Sequence, residues 1–209
     1  KGKVYVVDVS NHRIQVFDAT GQFLANWGEE GSGNGQFVSP SALAIDGKGD
    51  VYVADTENHR IQVFDDSGAF LRKWGTPGGS DGRFNLPSGI AVDSSGKVLV
   101  SDHENNRIQV FDNTGRFHRK WGGFGPGEGE FHQPRGITVD LDGRVYVADW
   151  GNNRVQAFDS AGQFLDQWGT EGSGEGQLYS PWDIALDDKG NVYVSDTNNH
   201  RTQVFAGLR

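Results

Sequence analysis

Cysteine and methionine are both missing from the 209 residues. Without cysteine there is no disulfide, no thiolate nucleophile and no cysteine-based zinc site; the redox compartment stays open. The lack of methionine even at position 1 leads us to expect a processed chain or a piece of a longer one. No stretch reaches the ~18 apolar residues of a membrane-spanning helix, and no charged-then-apolar leader opens the chain, so membrane insertion is not expected. Basic residues are few: 19 Lys and Arg stand against 28 Asp and Glu. The resulting charge of −9 opposes docking along a phosphate backbone. Glycine (31 residues) and aromatics are plentiful, a profile that suits short strands joined by tight turns.

The residues that are present repeat every 47 positions. Strand-like runs begin at Val4, Val51, Val98, Val145 and Val192, and Trp27, Trp74, Trp121 and Trp168 keep the same step. So do Pro40, Pro87, Pro134 and Pro181. A period of this length marks units that bury their faces only against their neighbours.

One unit reads as four strands. Ser88–Asp93 is a small and β-branched run suited to a buried strand. Asp93 and Gly96 bracket a D-x-x-G turn, with Asp first and Gly fourth. Val98–Asp102 is the second strand; the loop His103–Asn106 leads to Arg107–Phe111, where Ile108 and Val110 share a face. Asp112–Gly115 repeats the turn, Phe117–Trp121 is the fourth strand, and a glycine-rich crossover leads to Pro134. Four short antiparallel strands per unit describe a propeller blade. The expected architecture is all-β, a β-propeller with four-stranded blades, the apolar first strand at the axis and the polar fourth at the rim. Strands at 4–27, blades at 40–74, 87–121 and 134–168, and a partial blade at 181–205 make about four and a half blades in one domain or segment.

The run Asn58-His-Arg-Ile-Gln-Val-Phe-Asp65, with Asn11-His-Arg13 and Asn198-Asn-His-Arg201, resembles the signature of NHL-repeat propellers. The frame Pro-x-Gly-Ile-x-Val-Asp followed by Val-Tyr-Val-Ala-Asp is similar as well. The third and fourth copies carry Asn105-Asn-Arg107 and Asn152-Asn-Arg154, so the histidine is dispensable. The resemblance implies rings closing with six blades, more than this chain can build. An excerpt of a longer propeller array is therefore expected, the alternative being completion by another copy or unusual closure. An open arc would expose apolar blade flanks.

Subtracting the repeated residues isolates those free to recognise something. Trp150 and Trp182 are the two tryptophans outside the repeat, and Tyr179 is the tyrosine outside it. With alternating strands, the second-to-third loops and the crossovers emerge on one face, which gathers His103, Glu104, Arg135, Trp150, Tyr179, Trp182 and Asp183. Arg135 and Trp182 stand where Ser41 and Ser88 stand in other copies, at the mouth of the channel. Such loops on a rigid scaffold are where function resides. The repeated pairs Asp55/Arg60, Asp102/Arg107 and Asp149/Arg154 read instead as structural, a bidentate ion pair clamping each loop; a reaction needs one asymmetric constellation.

Relatives of the family include metal-dependent lyases and lactonases, and binders of single-stranded RNA. A metal site needs about three converging His or carboxylate ligands, and the counterparts of His103 and His132 are Val9, Thr56, Val38 and Asn85. No catalytic residue, metal or cofactor is assigned. RNA would need clustered cations with stacking aromatics, yet the crossovers carry Glu29, Glu30, Asp81, Glu128, Glu130, Glu171 and Glu175. The expected role is a non-catalytic binding or assembly scaffold for a protein, peptide or glycan, through the loop face or the blade flanks. Homo-oligomers and larger arrays fall within that reading. An extracellular or cell-surface place fits such arrays, although no glycosylation sequon accompanies it.

Overall fold

A computed structural model describes residues 2–208. Eighteen strands are found among them, in five antiparallel sheets. The first sheet holds β1 (Val4–Asp8), β2 (Arg13–Phe17) and β3 (Phe23–Trp27). The second holds β4 (Pro40–Ile45), β5 (Val51–Asp55), β6 (Arg60–Phe64) and β7 (Phe70–Trp74). The third is β8 (Pro87–Val92), β9 (Val98–Asp102), β10 (Arg107–Phe111) and β11 (Phe117–Gly122). The fourth is β12 (Pro134–Val139), β13 (Val145–Asp149), β14 (Arg154–Phe158) and β15 (Phe164–Trp168). The last is β16 (Pro181–Leu186), β17 (Val192–Asp196) and β18 (Arg201–Phe205). Three complete blades are thus flanked by two of three strands. β4, β8, β12 and β16 pack side by side in that order, with β1 against β4, and they line an open central cleft of about 670 Å³.

The turns have a simple cause. In the third blade the Gly96 N–H donates to the Asp93 carbonyl and the Asp93 N–H to that of Lys97. Asp93 Oδ1 accepts from the N–H groups of Ser95 and Lys97. This closes a three-residue hairpin whose last residue is left-handed, and Gly96 has φ +82°.

The loop between second and third strands is more ordered than an irregular connection. It is one turn of 3-10 helix, His103–Asn105 in the third blade, ended by a left-handed residue. That residue is His12, His59, Asn106, Asn153 or His200. Its side chain has a second task. His59 Nδ1 accepts from Leu86 N–H, and Asn106 Oδ1 accepts from Gln133 N–H. Asn tolerates the left-handed region and offers the same acceptor, which explains why histidine and asparagine interchange here.

Between blades the core is apolar. Tyr146, Val155 and Ala157 of the fourth blade pack on Leu178, Ile184, Val192 and Val194 of the fifth. Each rim tryptophan lies against the next blade: Trp27 sits 4.5 Å from Phe64, centroid to centroid.

Candidate functional site

The repeated Asp/Arg pairs lie on the same end of the blades as the crossovers. Arg60 Nε donates to Asp55 Oδ2 at 2.6 Å, but the contact is single, not the bidentate pair expected from the sequence. The other guanidinium nitrogens turn to the preceding crossover and donate to the carbonyls of Ser32, Gly33 and Gln36. Asp55 completes its shell with Asn58, Gln62 and the Val38 N–H. Arg107 and Arg154 repeat the arrangement. A fork that must hold both a carboxylate and a loop of orphan carbonyls cannot give two donors to the carboxylate. Burial pushes the carboxyls of Asp102 and Asp149 up, while these donors pull against it.

At the channel mouth the inner strands β4, β8, β12 and β16 are tied in register, with one exception. Ser41 Oγ donates to the Ser88 carbonyl at 2.7 Å, and Ser88 Oγ to the Pro134 carbonyl at 3.0 Å. Thr56 Oγ1 donates to the Pro87 carbonyl, and His103 Nδ1 lies 3.3 Å from that of Pro134. The corresponding residues of the fourth blade are Arg135 and Trp150, which make neither tie to the fifth. Instead the Arg135 guanidinium lies 3.6 Å from the ring centroid of Trp182 and 5.2 Å from that of Trp150. Stacking on two indoles supplies cation–π attraction but no hydrogen bond, and the buried Arg135 Nε has no partner. Desolvation lowers the Arg135 pKa to about 10, with Glu104 acting in the opposite direction. The group remains charged at neutral pH.

Around this centre, His103 is buried, with its ring 6.5 Å from Trp150. Burial, then the charge of Arg135, holds its pKa below the usual value, so it is neutral at pH 7. Glu104 accepts from Gln133 Nε2 at 2.7 Å. Asp183 reaches solvent at the cleft wall, yet the surrounding walls desolvate its carboxyl and raise its pKa, opposed by the Ile184 N–H. Gly136 allows that approach: a Cβ there would fall 2.5 Å from Asp183 Oδ1.

The structure therefore brings His103, Glu104, Arg135, Trp150, Trp182 and Asp183 to one sector, spanning the third to fifth blades. Tyr179 is exposed on the last crossover and does not line the cleft; its backbone serves the Asp196 clamp. The sequence reading passed over Phe124, which is 71% exposed and edge-on to His132 at 5.2 Å. His132 in turn covers Gly151. Phe124 stands where other copies have Glu30, Pro77 and Glu171, so subtraction applied to the crossovers would have found it. Among the described residues no group of three or more His, Cys, Asp or Glu converges as metal ligands.

A family model described as NHL repeat matches residues 37–64, 84–111, 131–158 and 178–205. No curated protein sequence matches the chain significantly. Solved structures do. A streptogramin B lyase is 15% identical over 99% of this chain and 65% of its own, with a TM-score of 0.68. Virginiamycin B lyase from Staphylococcus aureus is 15% identical over 100% of this chain and 67% of its own, at 0.67. A protein of unknown function from Bacteroides thetaiotaomicron is 19% identical over 98% of this chain and 56% of its own, at 0.74. The chain thus spans between about half and two thirds of the length of these structures, and the likeness is one of fold.

Proposed function

The chain belongs to the NHL-repeat family, and we propose that it is a non-catalytic recognition module whose channel mouth captures a carboxylate-bearing segment of a protein or peptide. The observation that carries this reading is the guanidinium of Arg135, stacked on Trp182 beside Trp150 with its buried Nε unpartnered. An Arg fork in a partly desolvated setting is the group that pairs with carboxylates, and flanking tryptophans are the usual anchors of recognition surfaces. The ties between blades are given up at this junction alone of the three that inner strands β4, β8, β12 and β16 form, which supports a role other than holding the ring together. The net charge of −9 opposes an anion at long range. Over a screening length of about 8 Å at physiological salt the local cation decides.

The test is a tryptophan-fluorescence titration with an acetylated, amidated Glu-rich hexapeptide and its Gln counterpart, and with a uronic-acid oligosaccharide. The Glu peptide binds and its Gln counterpart does not. R135Q weakens binding roughly tenfold to hundredfold, the loss of one charged hydrogen-bonding group, and W182A weakens it too. Binding that survives R135Q, or capture of the oligosaccharide but not the peptide, overturns the reading.

A further inference from the structure

The crossover joining the third and fourth blades departs from the other crossovers at two positions. Phe124 stands in the place of Glu30, Pro77 and Glu171, and Glu130 in that of Gln36, Arg83 and Gln177. A third departure lies beside them on the fourth blade, where Gly151 replaces Ser10, Glu57, Glu104 and Asn198. All three positions lie between complete four-stranded blades.

The backbone at Phe124 is fixed. It bridges to Phe131, whose N–H donates to the Gly123 carbonyl at 2.8 Å and whose carbonyl accepts from the Gly125 N–H at 3.1 Å. Phe131 itself is fully buried in the core between the blades. The Phe124 ring meets that of His132 at 82°, and His132 lies over Gly151, where a Cβ would fall 2.5 Å from its Cγ. Glycine at 151 therefore makes room for the ring that braces Phe124. A phenyl group 71% exposed on so constrained a backbone is a preorganised contact surface.

Glu130 adds a charge that the local structure does not require. Its Oε2 accepts from the Gly127 N–H at 2.9 Å. Gln36 and Gln177 make the same bond to Gly33 and Gly174 with a neutral amide. Gln36 spends its amide N–H on Glu29, whose place is taken here by Gly123. Glu130 Oε2 also lies over Gly125, the neighbour of Phe124, where an added Cβ would collide with it. Among the described residues the Gly127 N–H is the one hydrogen-bond donor to this carboxylate, and no cation pairs with it.

The geometry points to a subsite on this crossover for an arginine side chain of a bound peptide, its guanidinium over the Phe124 ring and beside the Glu130 carboxylate. The ring quadrupole and the carboxylate attract the same sign of charge, and a weakly hydrated, planar guanidinium stacks on aromatic faces. The net charge of −9 favours such a cation at long range. His132, Gly151 and Trp150 connect the subsite to Arg135. The captured segment thus carries an acid for Arg135 and an arginine for Phe124; its acidic end rests on the role proposed for Arg135.

Calorimetric titration with acetylated, amidated glycine peptides bearing one Glu and one Arg at varied spacing tests this. Matched peptides carry citrulline, an uncharged isostere, in place of the arginine. The native chain binds the best arginine peptide about threefold or more tightly than its citrulline counterpart. F124L keeps an apolar side chain without the ring and abolishes that preference. E130Q keeps an acceptor for the Gly127 N–H and reduces it. Both side chains are exposed, and thermal unfolding checks that the variants fold. R135Q weakens both peptides alike and leaves their ratio unchanged. If R135Q has no effect while F124L removes the preference, the arginine subsite stands and the role of Arg135 falls. Equal binding of the arginine and citrulline peptides, or a preference that survives F124L, overturns the subsite. Binding of neither peptide overturns both.

Discussion

The indole of Trp74 closes directly over Gly115 of the next blade, where a Cβ would fall 2.7 Å from ring atom Cδ2. Gly115 also has φ +88° as the last residue of a D-x-x-G turn. One position therefore answers to both a local turn and a contact between blades. Gly96 provides the control: φ is +82°, and a Cβ would meet nothing within 4 Å.

From this pair we expect Gly96→Ala to cost about 1–2 kcal/mol, the strain of a left-handed alanine. Gly115→Ala should cost that plus about 1–3 kcal/mol of overpacking. Urea denaturation of the two variants measures the difference. Equal losses would mean that the tryptophan moves aside without penalty.

Arg135→Ser restores the residue found at 41 and 88. The register places its hydroxyl where Ser41 Oγ meets the next blade's carbonyl. A neutral hydrogen bond contributes about 1 kcal/mol, and a partly desolvated, unpartnered cation disappears. We therefore expect a chain as stable as the native one or more stable by about 1 kcal/mol, with carboxylate-peptide binding lost. A clearly destabilised R135S would make Arg135 a structural residue instead.

Acid should weaken the fold through the turns. The Thr20, Ser67 and Thr114 hydroxyls, together with backbone N–H groups, hold Asp18, Asp65 and Asp112 below the ordinary carboxylate pKa, and Asp112 reaches about 2. Since folding depresses these values, the unfolded chain takes up protons first as acid is added. The stability is fully present above the ordinary 3.8 and is lost as pH falls toward about 2. D112N should flatten the dependence of the urea midpoint on pH within that window. An unchanged slope would mean that other carboxylates govern acid unfolding.

The period, the turns and the strand order could all be read from residues alone. Asp93 and Gly96, or Ile108 and Val110, act through neighbours a few positions away, and local patterns survive in a linear string. The candidate sector was legible in part. Subtraction picked out Arg135, Trp150 and Trp182 because they break the repeat, while Phe124 breaks it equally and was passed over. The single rather than double contact between Arg60 and Asp55 could not be read, because the competing acceptors lie on a crossover 24 to 28 residues earlier.

What the sequence determined by itself was which surfaces are alike, since a 47-residue translation carries one blade onto the next. Only the tertiary structure decided which of those like surfaces are covered. The guanidinium shared by two indoles depends on distances between segments remote in the chain. Those distances follow from the curvature of the whole stack of sheets, and no single repeat encodes it.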